Sequence, residues 1–178
     1  MDAHQEARII ALVQAGQISA FEQLVRCYQA PLIRIVGNLA GPVHLEDLVQ
    51  EIFLAAFRHI RRYDPRRGAF KTWLYAIARN RTLNALKKKR EQPLEKEPAA
   101  VAQNTPADAM LAKEIFQQLD QALDRLKFDE RLIFVLAELE ELPYGEIARI
   151  AGVPLGTVKS RLARTKAKLR HHLKQYVN

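Results

Sequence analysis

The sequence predicts an all-α protein of two small helical domains joined by a flexible linker, the C-terminal one containing a helix-turn-helix. Three observations lead there. Apolar residues recur at spacings of three and four along both halves, with no alternating β-branched run. The period fails between Lys87 and Ala107, where the chain reads KKKREQPLEKEPAAVAQNTP with prolines at 93, 98 and 106. Close to the C-terminus, two short helical patterns meet at a glycine. The expected division is 1–90, a linker over 91–107, and 108–178. Domains of about ninety and about seventy residues lie near the lower limit of independent folding.

In the front half, Leu45, Leu48, Val49, Ile52, Phe53 and Ala56 make one apolar stripe, with Asp47, Gln50, Glu51 and Arg58 turned away from it. Tyr63-Asp64-Pro65-Arg66-Arg67-Gly68 reads as a turn. The helical pattern AFKTWLYAIARNRTLNALKKKR follows, and it aligns Trp73, Ile77, Asn80 and Asn84 on one stripe. Asparagine is a poor helix former, and an amide buried without partners costs about 1–3 kcal/mol, so two amides beside a tryptophan suggest a ligand that satisfies them. Rings that stack on bases, amides that read base edges and cations that follow a backbone suit single-stranded nucleic acid. The plainer alternative makes Phe70, Trp73, Tyr75 and Ile77 core; it is the better reading for Tyr75 and Ile77, and Trp73 stays open between the two.

In the rear half, Leu111, Ile115, Leu119, Ala122 and Leu126 form a stripe, continued by Leu132, Ile133, Leu136 and Leu139. Pro143 suits a helix start, and Ile147, Ala148 and Ala151 give a short helix whose small residues allow close approach of a second. Gly152 supplies the turn, and Pro154 opens a helix with Val158 and Leu162 inward and Thr157, Lys159, Ser160 and Arg164 outward. A helix projecting cations and hydroxyls suits a major groove, where Arg and Lys pair with guanine edges and phosphates. An ordinary helical hairpin with a solvated basic face is the alternative.

Charge supports a polyanionic partner. The 178 residues carry a formal charge of +8 with pI near 9.8, and basic surface gains affinity by releasing counterions from phosphates. The order is basic, acidic, basic. Arg58 to Arg90 holds twelve Lys/Arg against Asp64 alone, Glu91 to Arg149 six basic and thirteen acidic residues, and from Lys159 onward there are seven basic residues and no acid.

Cys27 is the single cysteine, so an intramolecular disulfide is excluded, and no Cys/His spacing fits zinc; neither a metal nor any other cofactor is expected. The apolar run Ile9 to Val13 is too short for a signal-peptide core, and charges interrupt every longer stretch, so a cytoplasmic protein without membrane insertion is expected. Cys27 lies in an apolar helical pattern and is expected in the core, and His171-His172 on a solvated helix end. The five histidines have no acidic or cysteine partner at useful spacing, which argues against an enzyme.

With both motifs placed, the chain resembles the extracytoplasmic-function (ECF) sigma factors of bacterial RNA polymerase along nearly its whole length. The resemblance runs through Phe21-Glu22-Gln23-Leu24-Val25, Tyr28, Leu45 to Phe53 and Thr72 to Asn80, then Tyr144 to Ala148 and Gly156 to Leu162. It implies that the front half, sigma region 2, binds core RNA polymerase through Asp47, Gln50 and Glu51. It also implies that Arg66, Phe70, Lys71, Trp73, Asn80 and Asn84 belong to the part that opens the minus-ten element. The rear half would be sigma region 4, with Lys159, Ser160, Ala163 and Arg164 facing the groove of the minus-thirty-five element and Thr157 and Arg161 near its backbone. The implied partners are core RNA polymerase, promoter DNA and an anti-sigma factor that can hold the protein at the membrane; no small-molecule substrate is implied. His44-Leu45 and Gly145 depart from common family residues, and Ala163 takes a large side chain off the recognition face. A stand-alone helix-turn-helix regulator of duplex operators is the competing reading, and it leaves the front stripe unexplained.

Overall fold

The computed structural model describes residues 1–91, 119 and 121–173, with the side chain of Arg90 left aside. These residues form helices joined by short turns, and no strand occurs among them.

Helix α1 (Ala3–Gln14) starts under a capping box, in which Asp2 accepts from the Gln5 backbone at 2.8 Å and the Gln5 side chain accepts from the Asp2 backbone. Gln14 then donates to the carbonyls of Ile60 and Tyr63, both at 2.9 Å, tying α1 to a distant turn. Helix α2 (Phe21–Ala40) carries Pro31 in its interior and buries Phe21, Leu24, Leu32, Ile35, Val36 and Leu39. Gly41, at φ 80, ends it. Helix α3 (Leu45–His59) places Val49, Ile52, Phe53 and Ala56 against α2, and Glu46 and Asp47 in its first turn complement the helix dipole.

After a 3₁₀ turn at Pro65–Arg67, capped by Asp64, helix α4 runs from Phe70 to Glu91. The expected loss of helical period at Lys87 is therefore corrected: the helix continues to Glu91, because Lys and Arg are good helix formers even without an apolar stripe. The rest of the expected linker, and the calls on Leu111 and Ile115, lie outside the described residues.

In the rear half, a helical turn at 121–124 precedes α5 (Phe128–Phe134), which continues as one π turn over Val135–Leu139. Leu132, Ile133 and Leu136 are buried as expected, whereas Leu139 is exposed. The wider π turn shifts the phase of the helix, so a residue that α-helical spacing puts on the core face turns outward. Helices α6 (Tyr144–Ala151) and α7 (Leu155–Leu173) complete the chain.

The two halves share an interface. One apolar cluster runs from α1–α4 into α5, α6 and the start of α7, while a smaller one joins Ala122 and Leu123 to Leu169. Polar contacts cross the same boundary. Arg34 pairs with Glu140 through two nitrogens, at 3.1 and 3.2 Å; Thr72 donates to Glu146 at 3.3 Å; and Arg131 donates to the Asn38 carbonyl. Small domains of this size gain stability by burying apolar surface against each other.

Cys27 is exposed, which corrects its expected place in the core. The buried face of α2 centres on Phe21, Leu32 and Leu39, and at 100° per residue Cys27 lies about 120° or more from each of them, at the margin beyond Leu24.

Candidate nucleic-acid interface

Three helical faces hold the residues singled out by sequence. On α3, Asp47, Gln50 and Glu51 are all exposed, opposite the buried Val49, Ile52 and Phe53. Leu54 shares their side of the helix and is 54% exposed, the one large apolar side chain there. Sequence reading passed over it, although its spacing of three and four from Glu51 and Gln50 placed it on the polar face.

On α4 the aromatics separate. Phe70, expected in the minus-ten part, is 1% exposed and packs at 5.4 Å from both Tyr63 and Trp73, a core ring beneath Trp73. Trp73 is half-buried against Tyr63 at 5.5 Å, leaving part of its ring in solvent. Ile77 is half-buried, and Tyr75 is fully buried, its phenol pushed up chiefly by that burial. Lys71 lies over the Tyr75 ring at 5.7 Å. Asn80 and Asn84 are both exposed, so the amides face solvent instead of carrying a desolvation cost. Asn80 accepts from the Arg79 guanidinium at 3.0 Å.

Arg66 stands in the turn before α4, fully outward, and binds the Asp64 carboxylate through Nε at 3.0 Å and Nη2 at 2.9 Å. Those bonds, with one from the Arg66 backbone, hold the Asp64 carboxyl below the usual carboxylate range. Arg66, Arg67, Arg61 and Arg62 are exposed together. That clustering makes a cationic corner at the N-terminal end of α4.

In the rear half, α6 ends at Gly152, whose φ of 66 is left-handed and turns the chain into α7. Val158, Leu162, Thr165 and Leu169 give α7 one buried face. Lys159, Ser160, Ala163 and Arg164 are exposed on the other, and Thr157 is half-buried at its edge. Ser160 donates to the Thr157 carbonyl at 3.2 Å and Arg164 to the Ser160 carbonyl at 3.3 Å, which keeps these side chains close to the helix. Arg161 differs from its neighbours: its side chain is 30% exposed and turns toward Asp129 of α5.

The rear half docks on the side of α4 that carries Thr72 and Arg79, and the stripe of Asn80 and Asn84 remains open beside it. No group of His, Cys, Asp and Glu among the described residues could hold a metal ion, and no described helix is long and apolar enough to cross a membrane.

Comparison with known proteins matches residues 24–92 to the Sigma-70 region 2 family and residues 116–169 to the Sigma-70 region 4 family. The chain is similar to the ECF RNA polymerase sigma factor SigW of Bacillus subtilis, 33% identical over 93% of this chain and 95% of that protein. It is also similar to the ECF RNA polymerase sigma-E factor of Escherichia coli K12, 34% identical over 89% of this chain and 88% of that protein. Among solved structures, the fold resembles CnrH in its complex with the cytosolic domain of CnrY, with a TM-score of 0.73 and 23% identity over 96% of this chain and 98% of that one. It likewise resembles the sigma factor RpoE of Bartonella quintana bound to the anti-sigma factor NepR, with a TM-score of 0.69 and 26% identity over 86% of this chain and 96% of that one. Two sigma family domains in order and relatives matched along nearly their full length establish that the chain belongs to the ECF sigma factors of RNA polymerase.

Proposed function

We propose that this ECF sigma factor assigns its promoter contacts to the three exposed faces described above. The α3 face of Asp47, Gln50 and Glu51 docks on core RNA polymerase, with Leu54 at its apolar centre. The open stripe of Trp73, Asn80 and Asn84, flanked by Arg66 and Lys71, takes a base expelled from the minus-ten element. Phe70 serves from beneath by fixing Trp73. Lys159, Ser160 and Arg164 enter the major groove of the minus-thirty-five element, Ala163 leaves room there for a base edge, and Thr157 and Arg161 reach the DNA backbone.

The observation that carries this reading is the exposure of Asn80 and Asn84 together beside the half-open Trp73 ring. Two amides facing solvent on a helix gain nothing for the fold, while unstacking a base costs a few kcal/mol that stacking and amide contacts can offset. The chain breaks no bond in this scheme, and catalysis belongs to the polymerase. The division into region 2 over 1–90, a linker over 91–107 and region 4 over 108–178 follows the same reading.

The structure of the Bartonella RpoE with NepR favours control of this chain by an anti-sigma factor as well. A membrane-anchored partner of that kind would hold the chain at the inner face of the membrane.

The test is promoter-specific run-off transcription by core RNA polymerase on a genomic fragment library, with the purified chain added. Specific transcripts that require the chain and disappear in the Asn80→Ala, Asn84→Ala variant support the assignment. Tight duplex binding without transcripts would favour a stand-alone regulator and overturn it.

A further inference from the structure

One carboxylate stands between the two DNA-facing helices. Asp129, in the first turn of α5, has Oδ1 at 3.5 Å from Nη2 of Arg79 on α4 and Oδ2 at 3.5 Å from Nη1 of Arg161 on α7. Arg79 in turn donates to Asn80 at 3.0 Å. The chain Asn80–Arg79–Asp129–Arg161 therefore links a residue of the minus-ten stripe to one of the minus-thirty-five helix. All of its links are electrostatic or hydrogen-bonding.

We infer that Asp129 is an internal stand-in for DNA phosphate, a clasp that holds the two promoter-reading helices together and keeps Arg79 and Arg161 from nucleic acid until promoter DNA displaces it. The inference rests on the proposed function above, since it gives Arg161 a place on the DNA backbone.

Stoichiometry supports the clasp. Two guanidiniums share one carboxylate: among the described residues Arg79 Nε is buried without a hydrogen-bond partner, and Arg161 Nη1 faces Asp129 at 3.5 Å as an ion pair without forming a hydrogen bond. Each arginine thus has unspent donors that a phosphate, with its fork of oxygens, would satisfy better. The contacts are also easily broken. Asp129 is 46% exposed, and ion pairs in contact with water are screened by salt. Glu140 is a different kind of contact: it pairs with Arg34 of α2, which belongs to none of the proposed DNA faces.

The experiment uses the full chain, with spin labels on Cys27 and on an Ala167→Cys substitution, both exposed positions in opposite halves. Distances between the labels are measured for the parent, Asp129→Asn and Arg79→Gln, and affinity for a short duplex without promoter sequence is measured across a salt series. Glu141→Gln is the control, an exposed acid of the same half whose loss changes charge by the same amount.

Asp129→Asn should lengthen and broaden the label distances. It should also raise duplex affinity about fivefold at low salt and steepen the salt dependence by up to about two counterions, one per released arginine. Glu141→Gln should leave the distances unchanged and raise affinity less than about twofold. Arg79→Gln should open the halves without raising affinity and leaves α5 intact, so it decides the matter if Asp129→Asn fails to fold.

Distances that stay at the parent value in both variants, or an Asp129→Asn affinity equal to that of Glu141→Gln, overturn the clasp. If the parent drives promoter-specific transcription while the variants behave in that way, only the clasp has failed. If the variants open and bind duplex as expected but the parent makes no specific transcripts, the clasp stands and the promoter reading falls.

Discussion

Helices α4 and α7 are the two long cationic helices of the chain, and they are buried in different ways. α7 packs on one side only: Val158, Leu162, Thr165 and Leu169 form a single inward line, and the cations occupy the remaining surface. α4 is covered on two sides. Phe70, Leu74 and Ala78 face the front core, Thr72 and Arg79 face the rear half, and the stripe through Trp73, Asn80 and Asn84 is left open to solvent between them, with Arg81 and the lysines of the last turns exposed as well. A helix that buries one continuous face announces its outer face through its period, whereas a helix covered from opposite sides hides it.

The largest way to break that comparison is to remove the ring at the base of the α4 stripe. Phe70→Ala should cost about 3–5 kcal/mol in urea unfolding, because a fully buried aromatic leaves both lost transfer energy and a cavity. If the loss were under about 1 kcal/mol and only promoter opening fell, Phe70 would be a DNA contact after all and α4 would be as one-sided as α7.

The outer face of α7 should show the opposite separation. Lys159→Ala and Arg164→Ala are expected to leave stability within about 0.5 kcal/mol of the parent, as exposed substitutions do. Each that reads a base should weaken binding to a matched minus-thirty-five duplex by about 1–3 kcal/mol. Binding titrations at fixed salt, beside thermal melts, check both. A large loss of stability in either variant would mean that α7 has a second buried face.

Helix α3 is another one-sided case and sharpens the contrast with a protein partner in place of DNA. Leu54→Asp should weaken binding to core polymerase by about 2 kcal/mol, the scale of an interface hot spot, with no measurable change in unfolding. Equal affinity for polymerase would remove Leu54 from the docking face and leave Asp47, Gln50 and Glu51 to act alone.

What the sequence disclosed follows the same line. The inward residues of α3 and the inner and outer faces of the helix-turn-helix were legible, because each helix there buries one continuous face with one period. The burial of Phe70 was not legible, because its partner ring Tyr63 comes from a separate turn that no local pattern links to it. Leu139 was misread because a π turn breaks the period that sequence spacing assumes. The pairing of Arg161 with Asp129 and of Arg34 with Glu140 joins residues far apart in the chain, and no spacing rule points to either. Cys27 was drawn into the core by apolar neighbours, Leu24 one turn before it among them, although it lies about 120° from Phe21 and Leu39 at the centre of the buried face.

The smallest expected effect concerns how the inner side of α7 is held. Lys168 donates to Glu130 of α5 at 2.6 Å, and Glu130 also accepts from the Lys127 backbone at 3.2 Å. Burial pushes the Glu130 carboxyl up, but the bonds from Lys168 and Lys127 outweigh it and hold the group below the ordinary glutamate range. A carboxyl lowered by folding stabilises the native state above its unfolded pKa, and that contribution disappears as pH falls through the lowered folded value. Glu130→Gln should therefore be less stable than the parent at neutral pH, by less than about 1 kcal/mol for a pair partly open to water. The two unfolding curves should converge as the medium is acidified below the carboxylate range. A difference that stayed constant down to that acidity would mean that the charge of Glu130 contributes nothing to the fold, and that α7 is held to α5 by its apolar line alone.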